Sequence, residues 1–185
     1  MVSHLFLVGY RGCGKSSVGR QLGDILGFPV IDSDDFVEQV AGKSIREIFA
    51  DGGESAFRDF ESDAIQKIVQ ASEATVASLG GGAILRESNR MLLSENGRTV
   101  WMQASPEIIA ARIAEDASTS ERRPALTQLS GYNEIIKLLE IREPLYRIAA
   151  NRIVSTDNRT VVEIAHEIAH WYLSSVQSGR RESDR

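Results

Sequence analysis

Residues 9–16 read Gly9-Tyr10-Arg11-Gly12-Cys13-Gly14-Lys15-Ser16, the pattern G-x-x-x-x-G-K-[ST]. Just upstream, Leu5-Phe6-Leu7-Val8 is a short apolar run, as expected of a strand buried on both faces. Downstream, Val18, Leu22, Ile25 and Leu26 recur at helical spacing, and Gly27 suits a helix C-terminus. The motif therefore lies between a strand and a helix, the context it requires. Its glycines let main-chain N–H groups curl around phosphate oxygens with no Cβ in the way. A helix starting near Lys15 aims its positive end at the same anion. Lys15 adds a point charge for the β- and γ-phosphates, and Ser16 offers a hydroxyl to Mg²⁺. The expected nucleotide contacts run through Gly12, Cys13, Gly14, Lys15, Ser16 and Ser17. The competing reading of the stretch is an ordinary Gly-rich turn. Cys13 is either a small residue that fits the turn or a thiol activated by the helix terminus.

Further strands are expected at 28–31, 75–79, 99–102 and 152–154. Helices are expected at 59–71, 106–114, 132–147 and 160–174. Strands alternating with helices imply a parallel sheet covered on both sides, hence an α/β fold. Residues 117–131 carry Ser, Thr, Arg, Pro and Gly with little apolar periodicity, and a loop this long in a small domain is usually functional. Residues 175–185 are polar and charged and are expected to form a frayed, disordered tail.

Composition narrows the field. The chain has 185 residues, enough for one domain with a sizeable core. Hydrophobic residues make up 42% and charged residues 25%, a soluble globular balance. The net charge of −5 argues against nucleic acid as the main partner. Cys13 is the one cysteine, so a disulfide within the chain is impossible. The N-terminal segment lacks a basic region, and no stretch approaches the roughly 18 apolar residues of a membrane span. A cytoplasmic location, with no membrane partner, is expected.

A phosphate loop says only that a nucleotide binds; the rest of the chain selects the class. Asp32-Ser33-Asp34 follows the second expected strand, and Phe57-Arg58-Asp59-Phe60-Glu61 has the form F-R-x-x-E. Gly80-Gly81-Gly82 follows the third strand, Arg122-Arg123-Pro124 lies in the long loop, and Arg142-Glu143-Pro144-Leu145-Tyr146-Arg147 ends the next helix. In this order and at these spacings the chain resembles shikimate kinase, from about residue 4 to residue 174. The resemblance implies a nucleoside monophosphate kinase-like fold. That is a three-layer α/β/α sandwich with a five-stranded parallel sheet, of the P-loop NTPase type with a mobile lid. Residues 1–174 would form the single kinase domain, with the lid at about 115–130. The substrates would be ATP and shikimate, with Mg²⁺ as cofactor. The products would be ADP and shikimate 3-phosphate, and the acting species a monomer.

The resemblance gives Asp32 the metal role and Asp34 the substrate role. If the strand still runs here, residues two apart point the same way. One carboxylate then serves a hydrated metal, and the other draws a proton from the attacking hydroxyl. The alternative is a helix cap by Ser33 or Asp34. Arg58 and Arg142 become carboxylate readers, since a guanidinium fork grips a carboxylate in a way lysine cannot copy. Glu61, three residues after Arg58, either orients it or forms a surface ion pair. Gly80, Gly81 and Gly82 allow close approach by the substrate, or are merely a flexible turn. The Val76–Leu79 strand lacks a terminal Asp, as the resemblance implies when Asp32 takes the metal side.

Arg123 is the lid arginine expected to stabilise charge on the transferring phosphoryl group and to help exclude water. The sequence departs from the family here. Its lid is slightly long between Glu115 and Glu121, and Arg123-Pro124-Ala125-Leu126 replaces R-P-L-L. Arg112 is a further candidate on the nucleotide side. Arg159, after Thr156-Asp157-Asn158, is implied to stack on adenine; the same stretch also reads as a polar turn capped by Asp157 or Asn158. His166-Glu167-Ile168-Ala169-His170 matches H-E-x-x-H, but no third zinc ligand follows it, and the zinc protease reading is set aside. Three rivals remain: a kinase of another small acid such as gluconate, a nucleoside monophosphate kinase, and a non-catalytic nucleotide-binding domain. Paired Asp32 and Asp34 would repel an acceptor phosphate, which counts against the second.

Overall fold

The structure is a computed structural model that describes residues 3–115 and 131–183. Its elements run β1 (His4–Val8), α1 (Lys15–Leu26), β2 (Val30–Asp32), α2 (Ser33–Ala41), α3 (Ile45–Val69), β3 (Val76–Ser78), α4 (Glu87–Asn96), β4 (Gly97–Gln103), α5 (Pro106–Glu115), α6 (Tyr132–Ala149), β5 (Arg152–Ser155) and α7 (Val161–Ser183). The five strands form one sheet in the order β2-β3-β1-β4-β5, with every neighbouring pair parallel. This is the expected architecture.

Burial explains it. All of β1 is buried, and its residues alternate between two cores. Leu5 and Leu7 face one side, with Val100 and Met102 of β4, Val18 and Leu22 of α1, and Ile164 and Ile168 of α7. Phe6 and Val8 face the other, with Trp101 of β4, Ile65 and Ile68 of α3, and Leu93 of α4. Each such side chain contributes about 1.5–3 kcal/mol on burial, so a strand buried on both faces is held without polar alternation. Helix α6 contributes to both cores, through Ile135, Leu138 and Leu139 on one side and Tyr146 on the other. Arg142 falls between them. A third, smaller core of Val37, Ile45, Ile48, Phe57 and Ala64 joins α2 to α3.

Two expectations are corrected. Helix α3 begins at Ile45, well before residue 59, with Ser44 and Glu47 forming a reciprocal capping box. Gly53 (φ 67°, ψ −165°) breaks it into two helical stretches, which is why its apolar spacing does not run through. Residues 175–183 continue α7 instead of fraying. Val176 still packs against the first core, and the Ser175 hydroxyl donates to the Tyr172 carbonyl at 2.8 Å. Because every strand is parallel, the C-terminal ends of β1, β2 and β3 lie along one edge. That edge, outside a point where strand order reverses, is where open α/β sheets bind ligands.

Candidate active site

The loop after β1 turns through Gly12 (φ 79°) and Gly14 (φ 91°), a region that L side chains rarely adopt. Helix α1 starts at Lys15 with no side-chain cap on its first turn, so its leading amides are left for an anion. Lys15 Nζ donates to the Gly9 and Tyr10 carbonyls, both at 2.9 Å, folded over its own loop. Ser78 Oγ of β3 donates to the Lys15 carbonyl at 3.1 Å and pins the start of α1 to the sheet. Ser16 Oγ donates to Asp32 Oδ2 at 2.7 Å, so the two oxygens expected to serve a metal already meet. Cys13 is 1% exposed and belongs to the apolar core, which fits the small-residue reading and leaves the thiol no open approach.

The strand argument for Asp32 and Asp34 fails in detail. β2 ends at Asp32 and α2 begins at Ser33, so the two carboxylates do not share a strand face. Asp32 is itself the cap: its Oδ1 accepts from the Asp34 N–H at 3.0 Å while its Oδ2 holds Ser16. Capping and the metal-side role are therefore compatible, through the two oxygens of one carboxylate. Asp34 stands on the first turn of α2, whose positive end favours its charge.

The triple glycine after β3 is the hub of the other half. Ser33 Oγ accepts from the Gly80 N–H at 2.9 Å, which joins the start of α2 to the loop. Arg142 Nη1 reaches the Gly81 carbonyl at 3.4 Å, and a Cβ on Gly81 would stand 3.3 Å from the Gly9 carbonyl of the phosphate loop. Arg58 lies flat against Gly82, where a Cβ would come within 2.3 Å of Nη1 and 2.5 Å of Cζ. Ser33, Arg58, Arg142 and the phosphate loop thus converge on three consecutive residues without side chains. A Gly82→Ala variant must displace the Arg58 guanidinium, and its KM for the acceptor should rise about tenfold with the nucleotide KM little changed. An unaltered acceptor KM would show that this contact is not part of the site.

Both arginines are buried, each 6% exposed, but they differ in partners. Arg58 donates from Nη1 to Glu61 at 2.7 Å, and from Nε and Nη2 to Glu54 at 3.2 and 2.8 Å. Burial opposes its charge, yet the Glu61 and Glu54 carboxylates outweigh that and raise its pKa. Glu61 is 1% exposed at its side chain, so it orients Arg58 from inside and is no surface pair. Arg142 forms no ion pair among the described residues; its guanidinium sits over the Tyr10 ring, 5.8 Å from the centroid. Tyr10 is buried too, and that burial raises its phenol pKa despite nearby Arg11. Glu134 holds Arg11 at 3.7 Å.

On the nucleotide flank, Arg112 donates to the Gly12 carbonyl at 3.3 Å and to Thr156 Oγ1 and O at 3.1 Å. It ties the phosphate loop to the segment after β5. An open groove of about 470 Å³ lies there, lined by Ile108, Ala111, Arg112, Asn158 and Arg159 among others. Arg159 reaches it while bonded to the Ser155 carbonyl and to Glu167, which also holds Arg152. The polar-turn reading is corrected in one respect. The Asp157 carboxylate accepts from the Ser105 N–H at 3.1 Å, before α5, and α7 is capped by Thr160 with Glu163. Arg122 and Arg123, with residues 116–130 of the expected lid, lie outside the described residues.

Four contributors escaped the reading of the sequence: Ser33 as an anchor for Gly80, Glu54 on Arg58, Tyr10 beneath Arg142, and Tyr146 on Gly81. Only Glu54 had a legible signal, its position four residues before Arg58 on a helix. The others act across elements distant in sequence.

The family model described as shikimate kinase matches residues 11–173. The chain is 44% identical to the shikimate kinase of Rhodopirellula baltica over 173 residues, 94% of this chain and 92% of that one. It is 39% identical to the shikimate kinase of Trichormus variabilis over 165 residues, 89% and 88% of the two chains. Among solved structures, the shikimate kinase of Acinetobacter baumannii in complex with shikimate superposes with a TM-score of 0.85 at 32% identity, covering 95% of each chain. A gluconokinase from Sinorhizobium meliloti, at 18% identity and a TM-score of 0.63 over 98% and 97% of the chains, shares the fold.

Proposed function

The chain belongs to the shikimate kinase family, and on that premise we infer how its residues divide the work of phosphorylating shikimate with ATP. It is an ATP-dependent small-molecule kinase of the shikimate pathway. The phosphate loop takes the nucleotide, with Lys15 leaving the Gly9 and Tyr10 carbonyls to follow the β- and γ-phosphates. Adenine occupies the groove between Arg112 and Arg159. Ser16 and Asp32 fit a hard cation that prefers oxygen ligands, and would hold Mg²⁺. When bound, that ion neutralises charge on the phosphate oxygens. Shikimate lies along the triple glycine, its carboxylate toward Arg58 and Arg142. Asp34 accepts hydrogen bonds from the ring hydroxyls and takes the proton of the attacking 3-hydroxyl. Arg123 closes over the site, adds positive charge at the transferring group and helps exclude water. A monomer acting in the cytoplasm, with no nucleic-acid partner, completes the reading.

One observation carries the acceptor assignment. Arg142 is buried and has no carboxylate partner among the described residues. A buried charge is costly without a counter-ion, and an acid substrate supplies one. This also selects the variant. Arg58→Ala would break the buried ion pair with Glu61, a loss of about 3–5 kcal/mol that confuses folding with binding. Arg142→Ala breaks no ion pair among the described residues. It should raise the shikimate KM roughly 10- to 100-fold, the loss of charged hydrogen bonds, with the ATP KM unchanged. Turnover of shikimate against gluconate and nucleoside monophosphates is the companion measurement. Preference for either rival would overturn the substrate assignment.

A further inference from the structure

Tyr146 stands one helical turn after Arg142 on α6 and is fully buried. Its ring stacks on Trp101 of β4, with centroids 5.6 Å apart and planes at 21°. Its hydroxyl donates to the Gly81 carbonyl at 2.5 Å, the same oxygen that Arg142 Nη1 approaches only at 3.4 Å. The two side chains thus share one acceptor, and the tyrosine makes the shorter bond to it. Burial raises the phenol pKa far above its ordinary value, so the group remains a proton donor. The loop it grips has no side chains of its own at Gly80, Gly81 and Gly82 to fix it, and glycine backbone is the least constrained of all.

We propose that Tyr146 is a positioning residue for the acid-binding half of the site: by making the shorter bond to the Gly81 carbonyl it holds the loop and leaves Arg142 only a long contact there, so that the guanidinium stays available for the substrate carboxylate. Without the hydroxyl, Arg142 is the one side-chain donor left on that carbonyl among the described residues. The guanidinium would then be drawn onto the loop, spending a donor and moving its fork from the acceptor. The inference rests on the reading of Arg142 as a carboxylate reader.

Tyr146→Phe keeps the ring on Trp101 and removes only the hydroxyl. It should weaken shikimate binding about 5- to 20-fold, while the ATP KM stays within about twofold. Shikimate Kd is read by calorimetry, where a partly unfolded sample lowers the apparent stoichiometry and not the Kd. Trp101→Phe serves as the structural control: it should lower Tm and leave the shikimate Kd in place. In an Arg142→Ala background the effect of Tyr146→Phe should largely vanish, because the two act as a unit. If Arg142→Ala leaves shikimate binding intact, the reading of Arg142 fails. If Arg142→Ala weakens binding but Tyr146→Phe does not, or the two effects simply add, the role of Tyr146 fails instead.

Discussion

Replacing Lys15 by Met should lower shikimate turnover roughly 10³-fold with little change in Tm. Phosphoryl transfer leaves little covalent work for the protein, so charge placed against the β- and γ-phosphates is a large part of catalysis. Methionine keeps an unbranched side chain only one atom shorter and loses the charge. In the structure Lys15 Nζ serves the carbonyls of the buried Gly9 and Tyr10 at 2.9 Å, but Lys15 itself is partly exposed, so water can enter in its place. The phosphate has no such substitute. Single-turnover measurement at saturating ATP separates chemistry from binding, and turnover within tenfold of the parent would remove Lys15 from the catalytic set.

The second large effect concerns Asp34. Asp34→Asn should lower kcat roughly 10²- to 10⁴-fold, the range for a lost general base, and raise the shikimate KM only modestly. Asparagine preserves shape and hydrogen bonding but accepts no proton. The Asp34 N–H bond to Asp32 comes from the main chain and survives the change. The loss of charge on the first turn of α2 costs about 0.3–1 kcal/mol, small beside the expected barrier. The contrast with Arg142→Ala is the diagnostic: one variant should act on kcat, the other on KM. A kcat that survives Asp34→Asn would mean the attacking hydroxyl loses its proton without this carboxylate.

Much of this site was legible because its motifs are local. The phosphate loop needs glycine at φ 79° and 91°, then a lysine, then a helix start, and a linear sequence records all of these. The F-R-x-x-E spacing likewise foretold the pairing of Arg58 with Glu61, because residues three apart are neighbours on a helix. The Asp32 and Asp34 pair shows the limit. Alternation along a strand was the natural reading, but the strand stops at Asp32 and the chain turns into α2 there. The start of α3 was missed for a related reason: Gly53 interrupts the helix, so apolar residues on its two stretches do not share one period.

The amino-acid sequence by itself determined the alternation of strands and helices, the nucleotide loop and most of the groups proposed to meet the substrates. Each depends on dihedral preference or on spacing within one element, which neighbours in the chain control. Only the tertiary structure decided that Ser33, Arg58, Arg142 and Tyr146 all close on Gly80–Gly82, and that Arg142, alone of the two arginines, has no carboxylate partner among the described residues. Those relations join residues up to 65 positions apart. They arise from the crossing of α2, α3 and α6 over one edge of a parallel sheet, where burial, not sequence adjacency, chooses the partners.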